Sequence, residues 1–407
     1  MPCGECDVPG LEKFYELLIL AALVGVLIRY TPVLPERWRV PIAVIAVLAV
    51  VCYMPFTVGT FRTSQLTTIA IWSIVAIGLN ILTGYNGQIS LGHGAFVLIG
   101  AYTAAILTDR ESQVGFVDGA PWPFWTAMIM AGLVAAVAGI AVGVPSLRLA
   151  GPYLAVATLA LMIALPSVLE KYDGLTGGAT GLRVPQPPVP GFLDGILERQ
   201  EWFFFLAFTT ALLMAVLAWY IVRSRWGRAF IAIRDTEVAA LAVGISVARY
   251  KVLAFTISAF FAGVAGSLVA FASTGYVSPQ TIGIVLSINY FTAIVIGGLG
   301  SIMGSIIGGF VVVLLPDLAT DIGAKLFGEQ RGARLWPTIY GSILILVIIV
   351  MPYGVAGFLH RAARVKPADI AGAISRSPRN FAAYLNDARE RLTWGWGERG
   401  RKRGDAP

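Results

Sequence analysis

The chain has 407 residues, of which 57% are hydrophobic and 13% charged, and its formal net charge is +7. Soluble globular proteins carry about 25% charged residues, so this composition, with a mean hydropathy of +0.77, excludes a water-soluble enzyme. The basic excess does not indicate nucleic-acid binding, because the arginines and lysines concentrate in a few segments between apolar runs. We therefore predict a protein whose partner is membrane lipid.

About eleven hydrophobic segments follow one another along the chain, several of them close to the roughly 20 residues that a transmembrane helix needs. They lie at residues 11–29, 40–59, 64–83, 88–108, 122–144, 151–169, 201–222, 251–273, 282–299, 301–317 and 335–353. They lack the alternating pattern of barrel strands, so we predict an all-α, polytopic helical membrane protein with about 10–11 transmembrane segments. Segments 88–108 and 282–317 leave two alternatives open, full spans or re-entrant pairs.

Basic clusters predict the orientation and the division of the chain. Arginines cluster in the loop 223–250, and arginines and lysines follow His360; such clusters mark cytoplasmic loops. Counting spans from them places the N-terminus outside and the C-terminus on the cytoplasmic side of the membrane. We expect N-terminal helices over 1–63, a core over 64–360 that includes the cytoplasmic loop, and a cytoplasmic Arg-rich tail over 361–407.

The stretch 83–102, TGYNGQISLGHGAFVLIGAY, is rich in glycine and polar side chains within apolar sequence. Glycines let membrane helices approach closely, and polar groups at this depth must face protein or water. Two interpretations stay open: a face toward a translocation path or partner subunit, and a close-packed helix crossing with internally satisfied polar groups. The candidate residues are Gly87, Gln88, Ser90, His93 and Gly94.

A second glycine-rich stretch, GLGSIMGSIIGG at 298–309, resembles GYNGQISLGHG at 84–94. Glycine-interrupted segments at corresponding positions in two halves of a chain often line a transport path. Glycine packing between helices accounts for the same pattern, so both interpretations stay open.

The apolar segments lack the groups that other membrane functions use. No Asp, Glu, Lys or Arg occurs in 64–108 or in 252–316, which disfavours an ion-coupled carrier, because such carriers use ionisable groups within the membrane. No Gly-Lys dipeptide occurs, so there is no P-loop. No catalytic constellation is present, and Cys3 and Cys6 have no second ligand pair. We predict neither an enzyme nor a metal site, and no cofactor bound by this chain.

The basic loop at 225–250, RWGRAFIAIRDTEVAALAVGISVARY, contains a predicted short helix over EVAALAV. Asp235 and Thr236 are candidate N-caps, and Gly244 is suited to end the helix at positive φ. One interpretation is a surface helix without a partner. The other is a docking helix to which a soluble ATPase binds.

The longest predicted external loop, 171–200, contains LTGGATGL and VPQPPVP. Its prolines and glycines predict an ordered but irregular cap and not a helix. The candidate residues of this loop are Thr176, Gly177, Gly178 and Gly181.

Several blocks of the sequence occur in an order that matches one family. They are NILTGYNGQISLGHGAFVLIGAYTAAIL, GVPSLRLAGPYLAVATLAL, LTGGATGL, RYKVLAFTISAFFAGVAGSL, GGLGSIMGSIIGG and MPYGVAGFL. Together, over roughly residues 64–360, they resemble the branched-chain amino acid permeases of ABC importers. RDTEVAALAVGIS resembles the coupling-helix signature of ABC importer permeases, with Val238 interposed between Glu237 and Ala239.

The resemblance implies the ABC importer permease fold and half of a translocation pore, which a second, homologous permease subunit completes. Two ABC ATP-binding subunits that use ATP and Mg²⁺ would dock below. An extracytoplasmic binding protein, which the external loop would face, would deliver leucine, isoleucine or valine. Urea, short amides or other amino acids are alternative cargoes, and a stand-alone secondary transporter is the alternative class. The implied coupling residues are Arg234, Asp235, Glu237, Ala239, Ala240 and Gly244.

Overall fold

The computed structural model describes residues 16, 36–109, 122–149, 151–191, 193, 195, 197–272, 275–351 and 354–357. Three predictions fall outside these residues and stay predictions. They concern the first hydrophobic segment at 11–29, of which only residue 16 is described, the Cys3–Cys6 pair, and the tail at 361–407.

Helices form most of the described chain, which confirms the predicted helical class. In chain order they are α1 (Glu36–Tyr53), α2 (Gly59–Asn80), α3 (His93–Thr108), α4 (Phe124–Ser146), α5 (Pro152–Lys171), α6 (Asp173–Thr176), α7 (Arg199–Arg223), α8 (Arg225–Asp235), α9 (Glu237–Ala242), α10 (Val247–Ala272), α11 (Ile284–Gly297), α12 (Ile302–Phe327) and α13 (Glu329–Val350). Other described elements are a π-helical turn at Ile81–Tyr85, 3-10 turns at Met54–Phe56 and Gly178–Thr180, and the strands β1 (Leu182–Arg183) and β2 (Tyr276–Val277).

Six helical segments in the described part of the chain are long and apolar enough to cross a membrane. They are α2 with its π-helical turn, α4, α5, α7, α10 and α12. Four shorter apolar helices lie at Ile45–Phe56, His93–Thr108, Ile284–Gly297 and Pro337–Leu346. With 16 and 14 residues, α3 and α11 are shorter than the roughly 20 residues of a full span, whereas α12 reaches that length.

The core of the bundle is built from α2, α3 and α10. α10 packs against α4, α3 and α2, and α2 also packs against α7 and α12. Ile69–Asn80 of α2 is buried almost throughout, whereas α4, α5 and α7 expose large apolar side chains such as Val137, Tyr153 and Leu213. A large exposed apolar surface is typical of contact with lipid or another subunit.

Glycine allows the closest of these helix contacts. A Cβ atom added to Gly100 of α3 would overlap the carbonyl oxygen of Gly263 of α10, and one added to Gly266 would overlap that of Val97. Backbones that touch in this way are typical of small residues at membrane helix crossings. Gly100 therefore lets α3 and α10 meet at backbone contact.

The expectation of an irregular, non-helical cap over 171–200 is wrong in part. Residues Asp173–Thr176 form a short helix, in which the amide of Thr176 donates to the carbonyl of Tyr172 at 3.1 Å and the Thr176 hydroxyl donates to the same carbonyl at 2.8 Å. Gly177 ends this turn at φ +68°. Leu182 then pairs with Val277 in a two-stranded antiparallel ladder. Strand pairing between distant segments was not visible in the local glycine and proline pattern.

Candidate functional site

The chain between α2 and α3 leaves helical geometry inside the bundle. The π-helical turn at Ile81–Tyr85 ends α2, and the amide of Asn86 donates to the carbonyl of Ile81 at 3.2 Å. Gly87 then takes a φ of +81°, a conformation that favours glycine. Residues 86–92 contain no helix or strand until α3 begins at His93. We call residues 86–92 the non-helical segment.

Side chains of other helices hold the non-helical segment in place. The amide of Leu91 donates to the hydroxyl of Thr158 in α5 at 3.1 Å. The hydroxyl of Ser287 in α11 donates to the carbonyl of Leu91 at 2.6 Å and accepts from the amide of Gly94 at 3.0 Å. In a membrane, irregular backbone is tolerated where protein buries it or where it lines a water-filled cavity.

The non-helical segment and the start of α3 carry buried polar atoms that have no hydrogen-bond partner among the described residues. They are Nδ2 and Oδ1 of Asn86, Oε1 of Gln88, Oγ of Ser90 and both ring nitrogens of His93. Ser90 and His93 are fully buried, and the His93 ring packs edge-on against Phe96. Because an unpaired buried polar group is costly, each of these atoms is available to a water molecule or a polar solute.

The second glycine-rich stretch lies against the first. Asn80, at the end of α2, accepts from the amide of Gly300 at 2.8 Å and donates to the carbonyl of Ser301 at 2.9 Å and to the hydroxyl of Ser305 at 2.7 Å. A Cβ atom on Gly84 would overlap the amide nitrogen of Gly300. The two stretches that resemble each other in sequence therefore meet in space.

The basic loop folds into two helices, α8 and α9. The Ser224 hydroxyl caps α8 by accepting from the amide of Trp226. Thr236 is the N-cap residue of α9, as predicted, but its hydroxyl bonds the carbonyl of Asp235 and does not cap the helix. Gly244 ends α9 at φ +81°, as predicted, and Ile245 donates back to the carbonyl of Ala240, the pattern of a Schellman motif.

Two of the predicted coupling residues contact the bundle next to the non-helical segment. Nη1 of Arg234 donates to the carbonyl of Gly84 at 2.9 Å, while its Nε and Nη2 donate to Oδ1 of Asp235. Glu237 forms an ion pair with Lys251 of α10, and the carbonyl of Lys251 accepts from Nε2 of Gln88 at 3.4 Å. The structure thus brings the loop and residues 84–88 together.

The exposed face of α9 is apolar and involves residues that the motif comparison did not single out. Ala240 is 2% exposed, so its side chain lies on the buried face of α9. Val238, Leu241 and Val243 are exposed by 76%, 58% and 74%. Apolar side chains within a basic loop indicate a contact surface in the sequence. Only the tertiary structure shows which of them are buried and which are exposed.

The external loop candidates lie apart from this site, around the C-terminal end of α5. The Thr176 hydroxyl also donates to the carbonyl of Leu169, and a Cβ atom on Gly181 would overlap the carbonyl of Val277 in β2. Gly177, Gly178 and Gly181 all have positive φ values, so this turn requires glycine at three positions. None of the contacts described for these residues involves the basic loop.

Sequence reasoning did not single out Asn80, Thr158 or Ser287, which anchor the two glycine-rich stretches. Each is a polar residue within an apolar segment, and that was the available signal. The described residues bring together no group of three or more His, Cys, Asp or Glu side chains that could hold a metal ion.

The sequence profile of the family described as "Branched-chain amino acid transport system / permease component" matches residues 61–351. The chain belongs to this family. The matched range contains the non-helical segment, the second glycine-rich stretch and the basic loop. No solved structure shows a significant match.

Three relatives illustrate the similarity of this permease family member to known proteins, each named as a high-affinity branched-chain amino acid transport system permease protein. LivM of Escherichia coli (strain K12) is 34% identical over 331 residues, 76% of this chain and 73% of LivM. LivH of the same organism is 30% identical over 70% of this chain and 91% of LivH. BraD of Pseudomonas aeruginosa is 28% identical over 72% of this chain and 93% of BraD.

Proposed function

We propose that this chain is the permease subunit of an ATP-driven ABC importer and forms half of the translocation pore for branched-chain amino acids. The observation that carries the proposal is the hydrogen bond from Arg234 of the basic loop to Gly84, next to the buried non-helical segment. A loop suited to receive a motor subunit thereby contacts the part of the bundle suited to let a solute pass. Membership of the permease family and the names of the relatives support the cargo class.

The translocation path, in this proposal, runs beside the non-helical segment. The unpaired groups of Asn86, Gln88, Ser90 and His93 offer hydrogen bonds to the ammonium and carboxylate of an amino acid. Segments 64–108 and 252–316 contribute no Asp, Glu, Lys or Arg to the path. The nearby guanidinium of Arg234 is already bonded to the Gly84 carbonyl and to Asp235. Weak binding along a path favours passage, and selectivity would then reside in the binding protein.

The partners follow from the surfaces of the chain. The exposed apolar side chains of Val238, Leu241 and Val243 are the contact for an ATP-binding subunit, and ATP and Mg²⁺ bind to that subunit and not to this chain. A second, homologous permease covers exposed apolar helices of the bundle. The basic loop and the C-terminus face the cytoplasm of a bacterial inner membrane, while the N-terminus and residues Thr176–Gly181 face the extracytoplasmic binding protein.

ATP-driven uptake into proteoliposomes that contain the assembled complex tests this function. Radiolabelled leucine and urea are offered separately with their candidate binding proteins. Leucine uptake that requires both ATP and the motor subunits is the expected result. Urea uptake alone would keep the ABC importer architecture and change the cargo, whereas uptake by this chain alone under an ion gradient would identify a secondary transporter.

A further inference from the structure

We infer that Arg234 is a positioning residue that transmits movement of the basic loop to the non-helical segment, so that ATP hydrolysis and cargo passage occur together. The inference rests on the proposed function and names a residue that carries its mechanical step. It starts from the hydrogen bond that links Arg234 to Gly84 across 150 residues of sequence.

The side chain of Arg234 makes contacts in three directions. Nη1 points inward to the carbonyl of Gly84, while Nε and Nη2 point back to Oδ1 of Asp235 at 3.1 and 3.0 Å. The aliphatic part of the side chain packs against Gly87, where an added Cβ atom would lie 3.0 Å from Cγ of Arg234. The bond to Gly84 is half-buried, whereas the side chain of Asp235 is 55% exposed and its pair with Arg234 contributes little. The planar guanidinium directs Nη1 toward the carbonyl in a geometry that an ammonium does not fix.

The carbonyl that Arg234 contacts belongs to a tightly packed turn. Carbonyls at the end of a helix lack partners within the helix and bind cations well, and Gly84 lies at the end of the helical path of α2. Gly84 is also packed against Asn80 and Gly300 without room for a Cβ atom. Asn80 in turn bonds the turn between α11 and α12 at Gly300 and Ser301. A push on Arg234 therefore reaches both glycine-rich stretches.

A second connection between the loop and the bundle is weaker. Glu237 pairs with Lys251, but the Glu237 side chain is 53% exposed, and exposed ion pairs contribute little because water and salt screen them. Gln88 reaches this connection only through the backbone carbonyl of Lys251, at 3.4 Å. We therefore assign the main connection between the basic loop and the bundle to Arg234. Glu237→Gln should lower the ratio of cargo imported to ATP hydrolysed less than Arg234→Ala does.

The competing explanation is that Arg234 only caps α2 and stabilises the fold. A cap that is merely structural would change the amount of assembled complex, and the complex that remained would couple normally. A transmitting residue would change the number of cargo molecules imported per ATP hydrolysed at constant assembly. Uptake and ATP hydrolysis must therefore be measured in the same vesicles.

The experiment compares wild type, Arg234→Ala, Arg234→Lys and Arg228→Ala in the full complex, with the cargo that the wild-type complex takes up. Arg228 is the matched control, because it lies on the same helix and its guanidinium bonds the carbonyl of Arg223. We expect Arg234→Ala to lower the uptake-to-hydrolysis ratio at least about tenfold, which corresponds to the loss of one strong contact. Arg234→Lys should lower it less, and Arg228→Ala should not change it.

Two results would overturn the inference: a normal ratio in Arg234→Ala, or a parallel fall of uptake and hydrolysis that leaves the ratio unchanged. If Arg234→Ala does not assemble, Arg234→Lys and Asp235→Asn carry the test, and normal ratios in both would overturn the inference. A wild-type complex without ATP-driven uptake contradicts the proposed function itself, and that outcome is read from the wild-type vesicles alone.

Discussion

The guanidinium of Arg62 lies 3.0 Å from the carboxylate of Asp317 and joins α2 to α12. Arg62 is 5% exposed, and its Nη1 also donates to Oε1 of Gln65 at 2.6 Å. The Gln65 amide bonds the same carboxylate of Asp317. These charges lie just outside the two uncharged stretches 64–108 and 252–316. The buried cation of α2 is thus paired with an anion from a helix that is far away in sequence but adjacent in space.

Replacing the carboxylate alone is expected to destabilise the protein. Asp317→Leu should lower the free energy of unfolding by about 2–3 kcal/mol, because it removes a carboxylate that pairs with a buried guanidinium. The double variant Arg62→Met with Asp317→Leu should recover part of that loss. Thermal unfolding of the purified protein in detergent measures the effect. Equal melting temperatures for the single and double variants would contradict this account of the pair.

Replacing a glycine by alanine should lower stability at the crossing of α3 and α10 but not at an open helical position. Gly100→Ala should destabilise by about 1–3 kcal/mol, because its Cβ atom would meet the backbone of Gly263, which cannot move aside. Gly341→Ala is the matched control and should leave stability unchanged or slightly raised, since no described atom beyond its own helical turn lies within 4 Å of the added Cβ atom. Melting temperatures of the two variants compare them directly. A stable Gly100→Ala variant would show that the crossing is looser than described.

Two buried asparagines in the same region are expected to differ in what they contribute. Asn80→Ala should cost about 1–3 kcal/mol, because it leaves the amide of Gly300 without its acceptor. Asn86→Ala should change stability little, since its side-chain atoms have no hydrogen-bond partner among the described residues. Thermal unfolding separates the two effects, and uptake assays should show that Asn86→Ala slows transport instead. A larger loss of stability for Asn86→Ala than for Asn80→Ala would contradict these two roles.

The exposed face of α9 predicts which changes prevent docking of a motor subunit. Val238→Asp combined with Leu241→Asp should abolish co-purification of the ATP-binding subunit while the melting temperature of this chain stays unchanged, because both side chains are exposed. Ala240→Asp should instead cost about 2 kcal/mol or more, since it places a charge at a buried position. Retained co-purification in the double variant would place the docking surface elsewhere.

A cysteine introduced at Ser90 tests the path directly. In a background with Cys3, Cys6 and Cys52 changed to Ser, Ser90→Cys should react with a small water-soluble thiol reagent about tenfold faster than Ala76→Cys. Ser90 and Ala76 are both fully buried, but Ala76 lies in the packed part of α2. Added cargo should slow the reaction at position 90. Equal, slow labelling at both positions would support a dry helix crossing.

The sequence by itself determined the features that depend on local chemistry. Long apolar segments predicted membrane helices, because the bilayer excludes unpaired backbone groups whatever the packing between helices. Gly244 ends α9 as predicted, because positive φ is a property of one residue and its neighbours in the chain. Ordered motif blocks identified the family, which the match over 61–351 confirms.

Only the tertiary structure decided which distant residues meet and which faces are covered. Arg234 reaches Gly84, Arg62 reaches Asp317, and Leu182 pairs with Val277, all over separations that no local pattern encodes. Ala240 and Leu241 are neighbours of similar apolar character, yet one is buried and the other exposed. The physical reason is that these contacts, and the burial of each side chain, depend on how whole helices pack. Helix packing is determined by many weak contacts between parts of the chain that are far apart in sequence.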